Sequence, residues 1–140
     1  MEHKSIPMLL VVTHGSFGKE IIKSAEMIIG KQENLKAVSL LPGMDMEEFL
    51  AKVRSELEAA PEGSLVLCDL FGGTPSNVTA SLLAAHAVCA VTGLNLAMLI
   101  EACTMRASMK GKTLAEAVLA AAAAGCRDLR KEIETMEADI

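Results

Sequence analysis

The chain has 140 residues, the size of one domain able to bury its own core without disulfides or a structural metal. Apolar residues make up 51% but aromatics only 2%, with no Trp or Tyr and three Phe, so neither stacked single-stranded nucleic acid nor a flavin gripped between rings is expected. Thirteen Lys and Arg against 18 Asp and Glu leave a net charge of −5, the wrong sign for binding a phosphate backbone, and no nucleic-acid partner is expected.

In chain order, residues 1–7 are polar and run into an apolar stretch of only about six residues, too short for a signal-peptide core or a membrane span. A cytoplasmic protein is the default expectation. Residues 8–12 form a continuous aliphatic run, read as a buried strand, followed by the glycine-rich loop Thr13-His14-Gly15-Ser16-Phe17-Gly18. Residues 19–29 carry apolar side chains at 21, 22, 25, 28 and 29, one face of a helix that Gly30 ends. Residues 35–41 read as a second strand, broken by Pro42-Gly43. Asp45 then stands three positions before Glu48 like a capping box, opening a helix with Met46, Phe49, Leu50, Val53 and Leu57 along one stripe.

A third strand over 65–68 ends at Asp69 and a second glycine-rich loop, Leu70-Phe71-Gly72-Gly73-Thr74-Pro75. A helix over about 76–85, a strand over 87–92 and a helix over about 96–105 follow. An Ala-rich helix is expected from Thr113, where Thr113-x-x-Glu116 again resembles a capping box, and residues 125–133 read as helix. The four cysteines, Cys68, Cys89, Cys103 and Cys126, form no C-x-x-C pair and read as small buried hydrophobes in a reducing compartment. Strands alternating with helices predict an α/β fold, a flavodoxin-like doubly wound and mostly parallel sheet of order 2-1-3-4 with helices on both faces. Residues 1–140 are expected to be a single domain.

Ligands of such sheets collect beyond the carboxyl ends of the strands where strand order reverses, here between strands 1 and 3. The loops after those strands bring His14 and Asp69 to one crevice. A carboxylate that takes the proton of one ring nitrogen fixes the tautomer and leaves the other nitrogen as an outward nucleophile. Once that nitrogen carries a phosphoryl group, the carboxylate also offsets the ring's positive charge. Backbone N–H groups at Gly72, Gly73 and the next helix start, with the Thr74 hydroxyl, would hold phosphoryl oxygens, and Thr13 would add another hydroxyl. His3 and His86 read as structural or solvated, and Asn77 as helix surface.

Taken together, Leu9-Leu10-Val11-Val12-Thr13-His14-Gly15, Ser24-Ala25-Glu26-Met27-Ile28-Ile29-Gly30, Asp69-Leu70-Phe71-Gly72-Gly73-Thr74-Pro75-Ser76-Asn77 and Gly93-Leu94-Asn95-Leu96-Ala97-Met98-Leu99 resemble the mannose-type (mannose/fructose/sorbose) enzyme IIA of the bacterial phosphoenolpyruvate-dependent sugar phosphotransferase system. The resemblance spans nearly all of the chain to about residue 125. It implies that His14 takes a phosphoryl group from phospho-HPr and passes it to a IIB component, with Asp69 orienting His14 and Thr74 helping to bind the group. The membrane components IIC and IID would be served only indirectly. It also implies a homodimer in which a fifth, antiparallel strand near the C-terminus is exchanged, where the residues themselves read as helix. The chain stops where some relatives continue into a IIB domain, so a free-standing IIA is expected.

No metal cluster or Walker loop is visible, which fits a phosphoryl relay that needs no cofactor and argues against an ATP-dependent kinase. The competing readings are a flavodoxin-type module using Thr13 and Ser16 for phosphate, a histidine phosphatase, and an adaptor without phosphoryl transfer. Phe17 and Phe71 flank the two site loops and are expected to rim the crevice and contact HPr or IIB, whereas Phe49 belongs to a core stripe.

Overall fold

The structure, a computed structural model, describes residues 6–139; His3 lies outside them. Four parallel strands, β1 (Leu9–His14), β2 (Leu35–Leu40), β3 (Leu65–Cys68) and β4 (Cys89–Val91), form one sheet in the order β2-β1-β3-β4. β1 sits inside the sheet, paired from Leu9↔Leu35 to His14↔Leu40 on one side and from Leu9↔Leu65 to Val12↔Cys68 on the other. The helices are α1 (Phe17–Ile29), α2 (Met46–Glu58), α3 (Thr74–Leu82), α4 (Leu96–Met105), α5 (Gly111–Ala124) and α6 (Leu129–Ala138).

A parallel sheet covered on both faces needs strands apolar on both faces, which is why β1 and β3 are unbroken aliphatic runs. Leu9, Val11, Leu65 and Leu67 pack with Ile21 and Ala25 of α1, Met98, Leu99 and Ala102 of α4, and Leu114 and Val118 of α5. Leu10, Val12, Val66 and Cys68 face the other way, onto Phe49, Val53 and Leu57 of α2 and Leu82 of α3. Phe49 is fully buried, as its stripe predicts.

Several boundaries differ from the sequence expectation. β1 continues through Thr13 to His14, and the Gly15 N–H donates to the Leu40 carbonyl at 2.8 Å, so His14 ends a strand and does not ride on a loop. α1 begins at Phe17, two residues early, because the Thr13 hydroxyl accepts the Gly18 N–H at 2.9 Å and caps the helix from the strand beneath it. α3 starts at Thr74, and α5 at Gly111 with Lys110 as its N-cap, so the Thr113–Glu116 pair caps nothing. Asp45 is the N-cap of α2 but its side chain makes no capping bond.

Among the described residues there is no fifth strand: the tail forms α6, capped by Asp128, whose carboxylate accepts the Lys131 N–H at 3.2 Å. The cysteines are all free, with Cys68 and Cys103 buried, but Cys126 is exposed, contrary to its reading as a buried hydrophobe. No described helix is long and apolar enough to cross a membrane.

Candidate phosphoryl-transfer site

The chain leaves β1 toward β2 on one side and later returns to β3 on the other, so the carboxyl ends of β1 and β3 border the crevice where order reverses. His14, the last residue of β1, is half exposed there. Asp69, one residue past β3, keeps only 11% of its side chain accessible and points its carboxylate across to β1. Its Oδ2 accepts two hydrogen bonds from one residue, the His14 backbone N–H at 2.8 Å and ring Nδ1 at 2.9 Å.

An acceptor-only carboxylate oxygen against Nδ1 puts the ring proton on Nδ1 and leaves the lone pair on Nε2. The backbone bond fixes where the carboxylate sits, and the ring bond fixes where the imidazole points. Asp69 Oδ1 is buried without a partner, so the carboxylate's second oxygen is held out of water and unpaired. A buried unpaired oxygen is costly in a fold that had no use for it.

The loop between Asp69 and α3 supplies the rest. Gly72 adopts φ +86°, a left-handed conformation that suits glycine, and the Asn77 side-chain amide donates to its carbonyl at 3.4 Å. Asn77, read from the sequence as helix surface, therefore braces the turn. Gly73 is the N-cap of α3, Thr74 and Pro75 open the helix, and the Ser76 hydroxyl donates to the Gly73 carbonyl at 3.0 Å. The first-turn N–H groups of a helix have no intrahelical partner and carry the positive end of its dipole, which makes this the anion-favouring end of α3. Thr74 is half-buried there.

Thr13 is elsewhere. It is fully buried and its hydroxyl is engaged with the Gly18 N–H and the Gly15 carbonyl, so it locks the β1–α1 turn and offers nothing to the crevice. Phe17 and Phe71 are 44% and 85% exposed. The sequence reading missed two further exposed apolar side chains on loops at this end of the sheet, Leu70 and Leu41. The signal was available for Leu70, which with Phe71 makes an apolar pair inside a glycine-rich loop. Leu41 closes an aliphatic run and reads as strand.

A cavity of about 360 Å³ lies beside the site between α3 and the open edge of β4, lined by Phe71, Gly72, Asn77, Cys68, Ala90 and Leu119. Burial pushes the Cys68 thiol up to about 11, the Thr79 hydroxyl opposing and the Asp69 charge adding to it, so this thiol is inert at neutral pH. No group of three or more potential metal ligands occurs among the described residues.

The model of the PTS system fructose IIA component family matches residues 8–119. The PTS system fructose-specific EIIA component of Bacillus subtilis is 33% identical over 109 residues, 76% of this chain and 75% of that protein. The PTS system mannose-specific EIIAB component of Escherichia coli is 30% identical over 96 residues, and the match spans 66% of this chain but only 30% of that relative's length. Among solved structures, the phosphotransferase system component EIIA from Streptococcus agalactiae superposes with a TM-score of 0.83 at 31% identity, covering 89% of this chain and 98% of that one. The mannose/sorbose specific IIA subunit from Enterococcus faecalis gives 0.79 at 32% identity, covering 87% and 93%.

Proposed function

The chain belongs to the PTS system fructose IIA component family, which makes it a transferase component of a sugar phosphotransferase system, and from that premise we propose that His14 relays a phosphoryl group from phospho-HPr to a IIB component. The observation that carries the reading is the pair of hydrogen bonds that Asp69 Oδ2 accepts from the backbone N–H and the ring Nδ1 of His14, which leaves Nε2 as the accepting atom.

In the first step the Nε2 lone pair attacks the phosphorus of the donor phosphohistidine, the donor's P–N bond breaks, and its electron pair returns to the donor ring. The Nδ1 proton stays between His14 and Asp69, whose charge offsets the ring's. The N-terminus of α3, with Thr74, Gly72 and Gly73, faces charge that builds on the transferred oxygens. In the second step a IIB nucleophile takes the group and Nε2 regains its lone pair. Little beyond placement and charge is required, because the donor bond is already activated. Phe17, Phe71, Leu70 and Leu41 supply an apolar rim for a protein partner.

The same reading makes this a cytoplasmic IIA that serves IIC and IID through IIB and works as a homodimer, on the strength of its family likeness. Incubation with phosphoenolpyruvate, enzyme I and HPr should add one phosphoryl group by intact mass, labile in acid, stable in alkali and absent from His14→Ala. A label that survives His14→Ala sinks the assignment, and an unlabelled wild type favours an adaptor. Sedimentation at twice the 14.8 kDa chain mass supports the homodimer.

A further inference from the structure

The two glycines of the site loop answer different needs. Gly72 has φ +86°, and a Cβ added there would meet nothing within 4 Å, so its glycine serves the turn. Gly73 has φ −89° and ψ 170°, extended angles that any residue adopts, so its backbone makes no demand for glycine. Space makes the demand instead. A Cβ at Gly73 would stand 2.9 Å from His14 Cε1 and 3.5 Å from His14 Nε2.

We infer that Gly73 is a positioning residue whose bare Cα forms the seat of the His14 ring. The imidazole is then fixed on two sides, by Asp69 at Nδ1 and by Gly73 at Cε1. Ordinary carbon contacts begin near 3.5 Å, so a methyl at Gly73 must displace the ring or the start of α3 by about half an ångström. Moving the ring strains the 2.9 Å bond to Asp69. Moving α3 carries its N-terminal N–H groups away from Nε2. Either way the accepting nitrogen leaves its place, and the added methyl stands beside the path of the incoming phosphorus.

The consequence for rate rests on the reading of His14 as phosphoryl acceptor; the seat itself does not. The test is Gly73→Ala, alone and combined with His14→Ala. In ¹H–¹⁵N spectra of the imidazole, Gly73→Ala should move the His14 Nδ1 and Nε2 resonances and weaken the preference for the Nδ1-protonated form. Labelling by phospho-HPr should slow about 10- to 100-fold, in line with the effect of a sub-ångström misplacement. In urea, Gly73→Ala should lower the unfolding midpoint when His14 is present, and the loss should shrink in the His14→Ala background, where the methyl has no ring to meet. Unmoved ring resonances, or equal midpoint losses in both backgrounds, overturn the inference. A wild type that takes no label defeats the proposed function and leaves the spectra and the urea cycle still able to decide the seat.

Discussion

One oxygen of Asp69 holds both the chain and the ring of His14, and the other is buried without a partner. The two facts pull stability in opposite directions. Losing the accepted bonds at a half-exposed histidine costs about 1 kcal/mol, since water replaces the carboxylate there, while losing a buried unpaired oxygen recovers a comparable amount. Asp69→Ala is therefore expected to change the urea-determined stability by less than about 1 kcal/mol. Its effect on transfer from phospho-HPr is expected to be much larger, about 100-fold slower, because the imidazole loses its fixed tautomer and its counter-charge. Equal initial rates in Asp69→Ala and wild type would remove Asp69 from the orienting role. His14 and Asp69 were legible as a pair because both follow aliphatic runs, and topology alone brings the ends of strands 1 and 3 together. The misreading of Thr13 has a physical origin as well. A hydroxyl next to a candidate nucleophile looks like a ligand group until alternation along β1 is applied, which turns residue 13 to the opposite face from residue 14.

At the level of elements, the helix starts were the least legible part. Capping patterns in sequence assume that a helix is capped by its own preceding residues, yet α1 is capped from β1 by Thr13 and α2 by no side chain at all. Asn95 shows the pattern working, since its side chain accepts the Met98 N–H at 2.8 Å and donates to the Ala122 carbonyl at 3.1 Å, joining α4 to α5. Arg106 just past α4 had no sequence signal, because a lone arginine on an apolar helix reads as surface. It is 6% exposed, and it donates from Nη1 to the Pro7 and Asn34 carbonyls at 3.2 and 3.0 Å and from Nη2 to Gln32 Oε1 at 3.3 Å and to the Glu33 carbonyl. Burial pulls its guanidinium below the usual arginine range, with Cys103 and Glu33 opposing. This side chain ties the end of α4 to the approaches of β1 and β2, including Asn34 at φ +54°. Arg106→Met should leave buried carbonyls short of donors and lower stability by about 3 kcal/mol in urea unfolding. Because it acts at the amino end of the sheet, opposite His14, the phosphorylation rate per folded molecule should be unchanged. A loss under about 1 kcal/mol would mean that water takes over its hydrogen bonds.

Over the whole molecule, the sheet order and its two core layers follow from where the aliphatic runs fall, which is why an aromatic-poor chain was readable at all. The tail is the exception to a reading by likeness. The family resemblance implies an exchanged strand, but Leu129, Ile133 and Met136 recur at helical spacing behind Asp128, and the local pattern prevailed as α6. None of the residues of α6 is buried, and its stripe stays exposed, with Leu129 at 73% and Met136 at 68%. A helix that removes so little surface from water adds little to the free energy of folding. Deleting residues 127–140 should therefore leave the urea midpoint of the rest unchanged within about 0.5 kcal/mol. The truncated chain should also accept phosphate from phospho-HPr at the wild-type rate, because His14, Asp69 and the start of α3 lie wholly within residues 6–126. A midpoint that drops well beyond that margin would show that α6 packs against something in solution, and sedimentation of the two chains side by side would tell whether that surface belongs to the same chain or to a second copy.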